Sequence, residues 1–166
     1  FKTRGRIVWA VLIFAVGWAL MTFGGDFTPD GNFAEKVDKL LMGRFRDGVS
    51  LKNGQWVASP NYHYTWIVSS LNFGITVMLG AFSGCIMRGA DKIANVKRLL
   101  LFSVALIAGG LLLEIQMPII KKIWSSSMTL YSGGLCVAAM AIFYYLIDCR
   151  GGLKWLGWLK IYGMNS

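Results

Sequence analysis

Few side chains in this sequence are suited to acid–base or group-transfer chemistry, and the clearest is its one histidine, His63. A histidine changes charge near neutral pH, so it can accept a proton from a substrate or return one. His63 stands in the stretch NYHYTW, among Tyr62, Tyr64 and Trp66. Aromatic residues of this kind collect where a membrane meets water, so the local sequence favours an interface residue over a catalytic base.

Glu114 is the acid that stands well inside a long apolar stretch. A carboxylate in such a place is costly to bury and normally faces protein or water. Two lysines, Lys121 and Lys122, follow it in a short connection. We therefore expect a structural ion pair between Glu114 and one of these lysines in preference to a catalytic carboxylate.

Neutral polar residues lie near the starts of two other apolar stretches. Asn72 and the serines at 125–127 can form hydrogen bonds between helices, and that role explains each of them singly. Taken together, six polar residues fall toward one end of the apolar stretches: His63, Asn72, Glu114, Lys121, Ser125 and Ser127. Their grouping predicts a polar pocket that opens at this end.

The sequence predicts no metal site and no disulfide framework. The cysteines Cys85, Cys136 and Cys149 are odd in number, and their spacing matches no metal-binding motif. Motifs of serine hydrolases, phosphate-binding loops and zinc proteases are also absent from the sequence. A soluble enzyme of these classes is therefore not expected.

The composition indicates an integral membrane protein. Apolar residues make up 55% of the 166-residue chain and charged residues 15%, with a mean hydropathy of +0.54. Water-soluble domains usually contain about 25% charged residues. The apolar stretches are long enough to span a bilayer as helices and too long for the strands of a barrel. The prediction is an all-α, polytopic integral membrane helix bundle with four full spans, 7–23, 66–87, 99–117 and 124–147, and the start of a fifth at 155–166.

The basic residues predict the orientation of these spans. Three clusters lie at alternate ends of the spans: Lys2, Arg4 and Arg6; Arg88, Lys92, Lys97 and Arg98; and Arg150, Lys154 and Lys160. Short cytoplasmic loops carry an excess of lysine and arginine, so these clusters are expected on the cytoplasmic side. The segment 24–65 and the loop that holds Lys121 are then outside, although the two lysines of that loop run against the rule. The net charge of +9 fits this pattern, and nucleic-acid binding is not expected.

The external segment 24–65 is expected to contain a short amphipathic helix. Asn32 can cap its start, with Glu35 three residues later, and Gly43 can end it. The apolar residues on one face are Phe33, Val37, Leu40 and Leu41. We expect this helix to pack over the bundle or lie on the membrane, and the stretch 48–60 to form a flexible loop.

Glycines in the spans predict where helices approach closely. Gly80 and Gly84 form a pair of small residues four positions apart, a spacing typical of packed membrane helices. Gly109, Gly110, Gly133 and Gly134 are expected to act in the same way.

The chain begins at Phe1 and ends within what looks like another span, so we expect it to be a fragment of a longer protein.

Four motifs in order resemble the later half of the heparan-alpha-glucosaminide N-acetyltransferase family and its bacterial relatives. MPIIKKIWSSS (117–127), YYLID (144–148) and YGMNS (162–166) are similar to a loop with Pro, Lys and Leu-Trp-Ser, a Val-Asp that closes a span, and Gly-Met-Asn-Ser. EKVDKLLMG (35–43) resembles Ile-Asp-Arg-Leu-Leu-Leu-Gly, and SSLNFGITVMLGAFSG (69–84) shares the Asn, the Leu-Gly and the Ala-x-x-Gly spacing. Residues 1–166 would then be part of a transmembrane acyltransferase domain.

The resemblance implies that the full-length enzyme takes an acetyl group from cytoplasmic acetyl-CoA and passes it to an amino sugar across the membrane. It implies that four residues face the shared cavity or its mouth: Lys121, Trp124, Ser125 and Asn165. Asn72 and His63 are further candidates for substrate binding. It also matches Asp38 and Gly43 to the motif of the outer helix, and Asp148 to the inner end of a span. The basic residues that could attract the phosphates of coenzyme A are Arg88, Lys92, Lys97 and Arg98, although membrane topology alone also explains them.

The sequence departs from the family pattern in two places. The family's Asp-Pro-Glu-Gly is replaced by His63, Tyr64, Thr65 and Trp66, so both acids are missing. The family's catalytic histidine belongs to an earlier part of the sequence, so His63 is not expected to be the base. The catalytic residue therefore stays unassigned, and the fragment alone is expected to be inactive.

The expected partners are the lipid bilayer, an amino-sugar substrate and the remaining spans of the full-length protein, with a homo-oligomer left open. The expected location is the bacterial inner membrane. Two other functions stay open: a transporter or flippase component for a polar, sugar-like substrate, and a non-catalytic membrane scaffold. A histidine in an outer loop of the upstream sequence would favour transfer, and an inverted repeat of the spans would favour transport.

Overall fold

The computed structural model describes residues 3–61 and 63–151. The described chain is mainly helical. In order, its elements are α1 (Thr3–Phe23), α2 (Phe33–Met42), a 3₁₀ turn (Gly43–Phe45), strands β1 (Val49–Lys52) and β2 (Gln55–Ala58), α3 (Ser69–Met87), α4 (Lys92–Glu114), α5 (Ser126–Tyr144) and a π-helical turn (Tyr145–Cys149). The predicted fifth span, with Asn165, Lys154 and Lys160, lies outside the described residues, as do Lys2 and Tyr62.

Four of the described helices, α1, α3, α4 and α5, are long and apolar enough to cross a membrane. They correspond to the four predicted spans, so the helical character of these stretches is confirmed. The largest difference is the start of α4, which begins at Lys92, before the predicted 99. Asp91 explains this, because its Oδ1 accepts hydrogen bonds from the backbone N–H groups of Ile93 at 2.9 Å and Ala94 at 3.0 Å. The capped helix therefore includes charged residues that precede the apolar stretch.

Helices α4 and α5 form the most extensive contact in the bundle, and glycines allow it. A Cβ atom on Gly110 would lie 2.7 Å from the backbone nitrogen of Tyr131, and one on Gly134 would lie 2.9 Å from that of Ile107. Ser103 Oγ donates a hydrogen bond to the Gly134 carbonyl at 2.9 Å across the same contact. The prediction of close approach is confirmed for Gly110 and Gly134, and for Gly133, whose added Cβ would meet Leu79 of α3.

The predicted packing role of Gly80 and Gly84 is wrong for the described part of the chain. A Cβ atom on either glycine would meet no described residue within 4 Å. A Cβ atom on Gly109 would lie 3.4 Å from Leu130 Cδ1, an ordinary van der Waals distance. Small residues at a spacing of four therefore do not identify the packed face of α3, because Leu79, Ile75 and Asn72 form that face instead.

Helix α2 starts and ends as predicted. The side chain of Asn32 accepts a hydrogen bond from the Glu35 N–H at 2.8 Å, and Gly43 ends the helix with φ of 55°. Its apolar face is only partly covered: Phe33 and Val37 pack against a cluster formed by Met21, Ala34, Val68 and Met117. Leu40 and Leu41 are exposed, so the bundle covers only the Phe33 and Val37 part of this face.

The stretch 48–60 contains a β-hairpin, so the prediction of a flexible loop is wrong, and the described chain is not purely helical. Strands β1 and β2 are antiparallel and pair Val49 with Ala58 and Lys52 with Gln55. Asn53 and Gly54 connect them, both with positive φ, at 50° and 81°. Asn-Gly favours such a two-residue turn, because its backbone twist matches that of the flanking strands.

Asp38 joins α2 to the start of α3. Its carboxylate is fully buried and accepts hydrogen bonds from the N–H groups of Trp66 at 2.8 Å and Ile67 at 3.1 Å. The N–H groups at the start of a helix lack acceptors within the helix. A carboxylate at this position accepts their hydrogen bonds, and its negative charge interacts favourably with the helix dipole. The segment 24–65 is therefore tied to one end of the bundle.

The glycine contacts make a stability prediction. Replacing Gly110 with Ala should destabilise the protein by about 1–3 kcal/mol, because the new methyl group meets backbone atoms of α5 that cannot move away. Gly80→Ala is the matched control, since it adds the same group to α3 with no described neighbour within reach. Thermal unfolding in detergent should show a lower melting temperature for Gly110→Ala only. Equal melting temperatures for the two variants would contradict the close packing of α4 and α5.

Candidate functional site

Three consecutive carbonyl groups of the loop between α4 and α5 are held by polar groups at the start of α3. Thr65 N–H donates to Lys122 O at 3.1 Å, Ser69 Oγ donates to Ile123 O at 2.8 Å, and Asn72 Nδ2 donates to Trp124 O at 2.7 Å. We call this arrangement the carbonyl clamp. Thr65, Ser69 and Asn72 are all almost completely buried.

Sequence spacing explains how α3 supplies the clamp. Ser69 and Asn72 are three positions apart, so their side chains lie on the same face of the helix. Thr65 stands one turn earlier, and its hydroxyl is 2.6 Å from that of Ser69. The face continues into the bundle core through Ile75 and Leu79. The start of α3 thus presents polar groups to the loop and apolar groups to the helices.

Serines build the other side of the loop. Ser125 caps α5, and its Oγ accepts hydrogen bonds from the N–H groups of Met128 at 3.3 Å and Ile120 at 3.1 Å. The same hydroxyl donates to the Pro118 carbonyl at 2.9 Å, and Ser127 Oγ donates to that carbonyl at 3.1 Å. Ser125 therefore closes the 118–125 loop on itself and leaves little hydrogen-bonding capacity for a ligand.

Trp124 is held in an unusual conformation by these contacts. Its φ of 48° lies in the left-handed region, which is rare for a bulky residue and costs about 1–3 kcal/mol. The conformation directs its carbonyl to Asn72 and places its ring against the edge of Phe73, with ring centroids 4.9 Å apart. The indole Nε1 is buried and has no hydrogen-bond partner among the described residues.

Helix α1 brings two further buried polar groups to the same end. Trp18 Nε1 and Thr22 Oγ1 are buried and have no partner within residues 3–61 and 63–151. Both lie within one turn of Met21, whose sulfur is 3.7 Å from Asn72 Nδ2. Unpaired buried polar groups are few in folded proteins, so their concentration beside the clamp is a distinctive feature.

The structure brings together some of the predicted site residues and separates others. Asn72, Trp124 and Ser125 meet in the clamp region with Ser126 and Ser127, all of them buried except the partly buried Trp124. This group is therefore an enclosed polar cluster, in contrast to the open polar pocket that the sequence predicted. Whether these residues bind a substrate stays a prediction.

Lys121 and His63 lie beside the cluster without joining its hydrogen bonds. The side chain of Lys121 is exposed, and its carbonyl accepts a hydrogen bond from Trp124 N–H at 3.1 Å. His63 Nε2 is 2.8 Å from the Ser59 carbonyl, and its ring covers Gly48 at the base of the hairpin. His63 thus braces the hairpin, and Lys121 stands at the surface of the loop.

Glu114 is exposed at the end of α4, and the predicted ion pair with the lysines of the loop does not form. Ion pairs between described residues lie in the segment 24–65, where Glu35 contacts Lys39 and Arg46 and Asp30 contacts Lys39. The turn between α4 and the loop explains this, because it leaves Glu114 facing outward while the loop folds back over α3.

The four basic residues predicted to bind coenzyme A lie at the opposite end of the bundle. Arg88 follows α3, and Lys92, Lys97 and Arg98 lie on the first turns of α4, all exposed. Lys92 Nζ donates to the carbonyl of Asp148 at 2.8 Å, so this lysine also joins α4 to the end of α5. The polar cluster and the basic residues are thus separated by the length of the helices.

Comparison with family models, with curated proteins and with solved structures finds no match to this chain. The geometry and the sequence motifs are therefore the basis for any functional argument.

Sequence reasoning missed Thr65 and Ser69 as part of the site. The signal was present, because Thr65, Ser69 and Asn72 form a polar stripe with helical spacing at the start of an apolar stretch. The hydrogen-bond partners of these three residues could not be predicted, because they are backbone carbonyl groups, which every residue has. The left-handed conformation of Trp124 had no sequence signal either.

The clamp predicts the effect of removing Asn72. Asn72→Leu keeps the side-chain volume but leaves the buried Trp124 carbonyl without a donor, which should cost about 1–3 kcal/mol of stability. The loop should also open more often, so hydrogen exchange of its amides over 118–125 should become faster. The control is Thr76→Val, because Thr76 Oγ1 donates only to the Asn72 carbonyl of its own helix, at 3.1 Å. Unchanged exchange in Asn72→Leu would show that the clamp does not hold the loop.

Proposed function

We propose that this chain forms part of a membrane acyltransferase that passes an acetyl group from cytoplasmic acetyl-CoA to an amino sugar on the other side. The ordered motifs over residues 35–166 support this proposal, since they resemble the N-acetyltransferase family. The four apolar helices suit a protein of the bacterial inner membrane. In this orientation the clamp faces outward and the basic residues of the α3–α4 turn face the cytoplasm.

The observation that carries the proposal is the buried indole N–H of Trp124 beside the clamp, which has no hydrogen-bond partner among the described residues. A buried donor without a partner costs about 1–3 kcal/mol, so a fold retains it where a ligand supplies the acceptor. Sites that bind polar ligands combine aromatic surfaces with a few placed donors. Trp124 has both features, since its ring packs against Phe73 and its buried N–H is a donor that a sugar hydroxyl entering the cluster would satisfy.

The remaining residues of the cluster are assigned positioning roles. Asn72 and Ser125 use their hydrogen-bonding groups on the loop backbone, so they fix the position of Trp124 and Lys121. The exposed ammonium group of Lys121 is suited to stabilising negative charge on the carbonyl oxygen during transfer. Asn165 stays a further candidate, and it lies outside the described residues.

Over the whole reaction a C–N bond forms between the acetyl group and the sugar amine, and the C–S bond of the thioester breaks. The amine loses a proton, and coenzyme A leaves as the thiol. The general base is not assigned to a residue of this chain. The acetyl donor is expected at the opposite end, where Arg88, Lys92, Lys97 and Arg98 can attract the phosphates of coenzyme A.

The direct test is transfer of labelled acetyl from acetyl-CoA to glucosamine by the protein expressed from its complete gene and reconstituted in vesicles. We expect label on the sugar, and a KM for the sugar raised about 3- to 10-fold in Trp124→Phe, the value of one hydrogen bond. The melting temperature should change little, because removal of the unsatisfied donor offsets the packing that is lost with the smaller ring. A merely structural role of Trp124 would instead lower stability and leave KM unchanged.

Trp9→Phe is the matched control, since Trp9 lies exposed on α1 away from the clamp. Its KM should equal that of the parent protein. Absence of label on the sugar would contradict the transferase for this acceptor. If the sugar then crosses the vesicle membrane unmodified, the transporter function is favoured instead.

A further inference from the structure

A cavity of about 590 Å³ lies between α1 and α3. Its walls are almost wholly apolar and come mainly from these two helices: Ile7, Val11 and Phe14 of α1, and Leu79, Phe82 and Cys85 of α3. This volume lies within the range of about 300–1,000 Å³ that is typical of ligand sites. The cavity is separate from the polar cluster, because its residues lie toward the other end of both helices.

An arginine lies about one helical turn beyond the lining residues on each of the two helices. Arg4 precedes Ile7 by three positions and Val11 by seven, so it lies on the same face of α1, one turn nearer the helix start. Arg88 follows Cys85 by three positions at the end of α3. Both arginines are exposed. The cavity thus combines an apolar interior with two positive charges at one end.

We propose that this cavity binds one acyl chain of an anionic phospholipid, with the headgroup phosphate held by Arg4 and Arg88. The shape and the charge of the cavity agree with this occupant. A lipid of the inner leaflet places its apolar chain in the membrane and its negative headgroup at the cytoplasmic surface, where the two arginines are expected. Basic residues between helices at the cytoplasmic surface are a common way of binding such headgroups. The inference rests on the bundle lying in a bilayer. It shares Arg88 with the proposed coenzyme A site, so the variant that tests it is made at Arg4.

A second copy of the chain is a weaker explanation for the cavity. Two copies would bring Arg4 and Arg88 of one chain toward the same residues of the other in a symmetric contact. Like charges brought together in this way repel each other. A lipid phosphate instead brings a negative charge that attracts both arginines, so charge complementarity favours the lipid.

The experiment measures lipid retained by the purified protein in native mass spectra after exposure to phosphatidylglycerol or phosphatidylcholine with identical chains. We expect the parent protein to retain phosphatidylglycerol preferentially. Arg4→Gln should reduce this preference about 5- to 10-fold. One arginine near an anionic headgroup contributes about 1 kcal/mol, which corresponds to an affinity change of roughly this size. Arg150→Gln is the charge control, because Arg150 stacks on Tyr145 at the end of α5 and takes no part in the cavity.

A second pair of variants tests the cavity itself. Val11 and Val8 are both valines of α1 that are more than half exposed, and only Val11 lines the cavity. Val11→Trp should fill the space and reduce retention of both lipids at least about fivefold, whereas Val8→Trp should not. Their matched position keeps the test valid, because any general effect of a tryptophan on folding appears in both.

Three outcomes would overturn the proposal. One is equal retention of the two lipids by the parent protein, and another is equal retention by Val11→Trp and Val8→Trp. The third is a dimer that Val11→Trp abolishes while lipid retention is unchanged, which would assign the cavity to a second copy. Arg4 is not among the residues assigned to coenzyme A. Failure of the acetyl-transfer experiment would therefore not contradict lipid binding measured with the Arg4 variant.

Discussion

The carbonyl clamp is the interaction on which the rest of the structure depends. A loop that crosses the end of an apolar bundle carries carbonyl groups that need donors wherever water is excluded. The start of α3 supplies them to Lys122, Ile123 and Trp124 in sequence. Without these donors, the loop could not lie against α3, and the start of α5 would lose its position.

The clamp links the other elements of this end. Asp38 holds the backbone of Trp66 and Ile67, so α2 is fixed to the same turn that supplies Thr65 and Ser69. The segment 24–65 is therefore a cover attached to the start of α3. Trp124 is energetically unfavourable in this arrangement, because its backbone is in the left-handed region and its indole N–H has no partner among the described residues. Backbone strain is concentrated at active sites and ligand-binding sites, so the region around Trp124 is the candidate functional site.

Sequence reasoning was sound where a physical rule is local. Apolar length predicted the four long helices, and the cap at Asn32 and the end at Gly43 follow from side-chain and backbone chemistry alone. It failed where the outcome depends on partners distant in sequence. The spacing of Gly80 and Gly84 does not reveal which face of α3 is packed, and the hairpin at Asn53 was missed although its turn signal is local. The clamp could not be predicted without the fold, since its side chains meet backbone carbonyls that lie 54 and 52 residues away in the sequence.

The most direct test of the account is the sidedness of the clamped loop in intact cells. Lys121 is exposed, so Lys121→Cys in a background without Cys85, Cys136 and Cys149 should react with a membrane-impermeant maleimide from outside. Arg98→Cys, at the opposite end, should react only after the membrane is permeabilised. The reverse pattern would place the clamp and Trp124 in the cytoplasm and contradict an acceptor site facing outward.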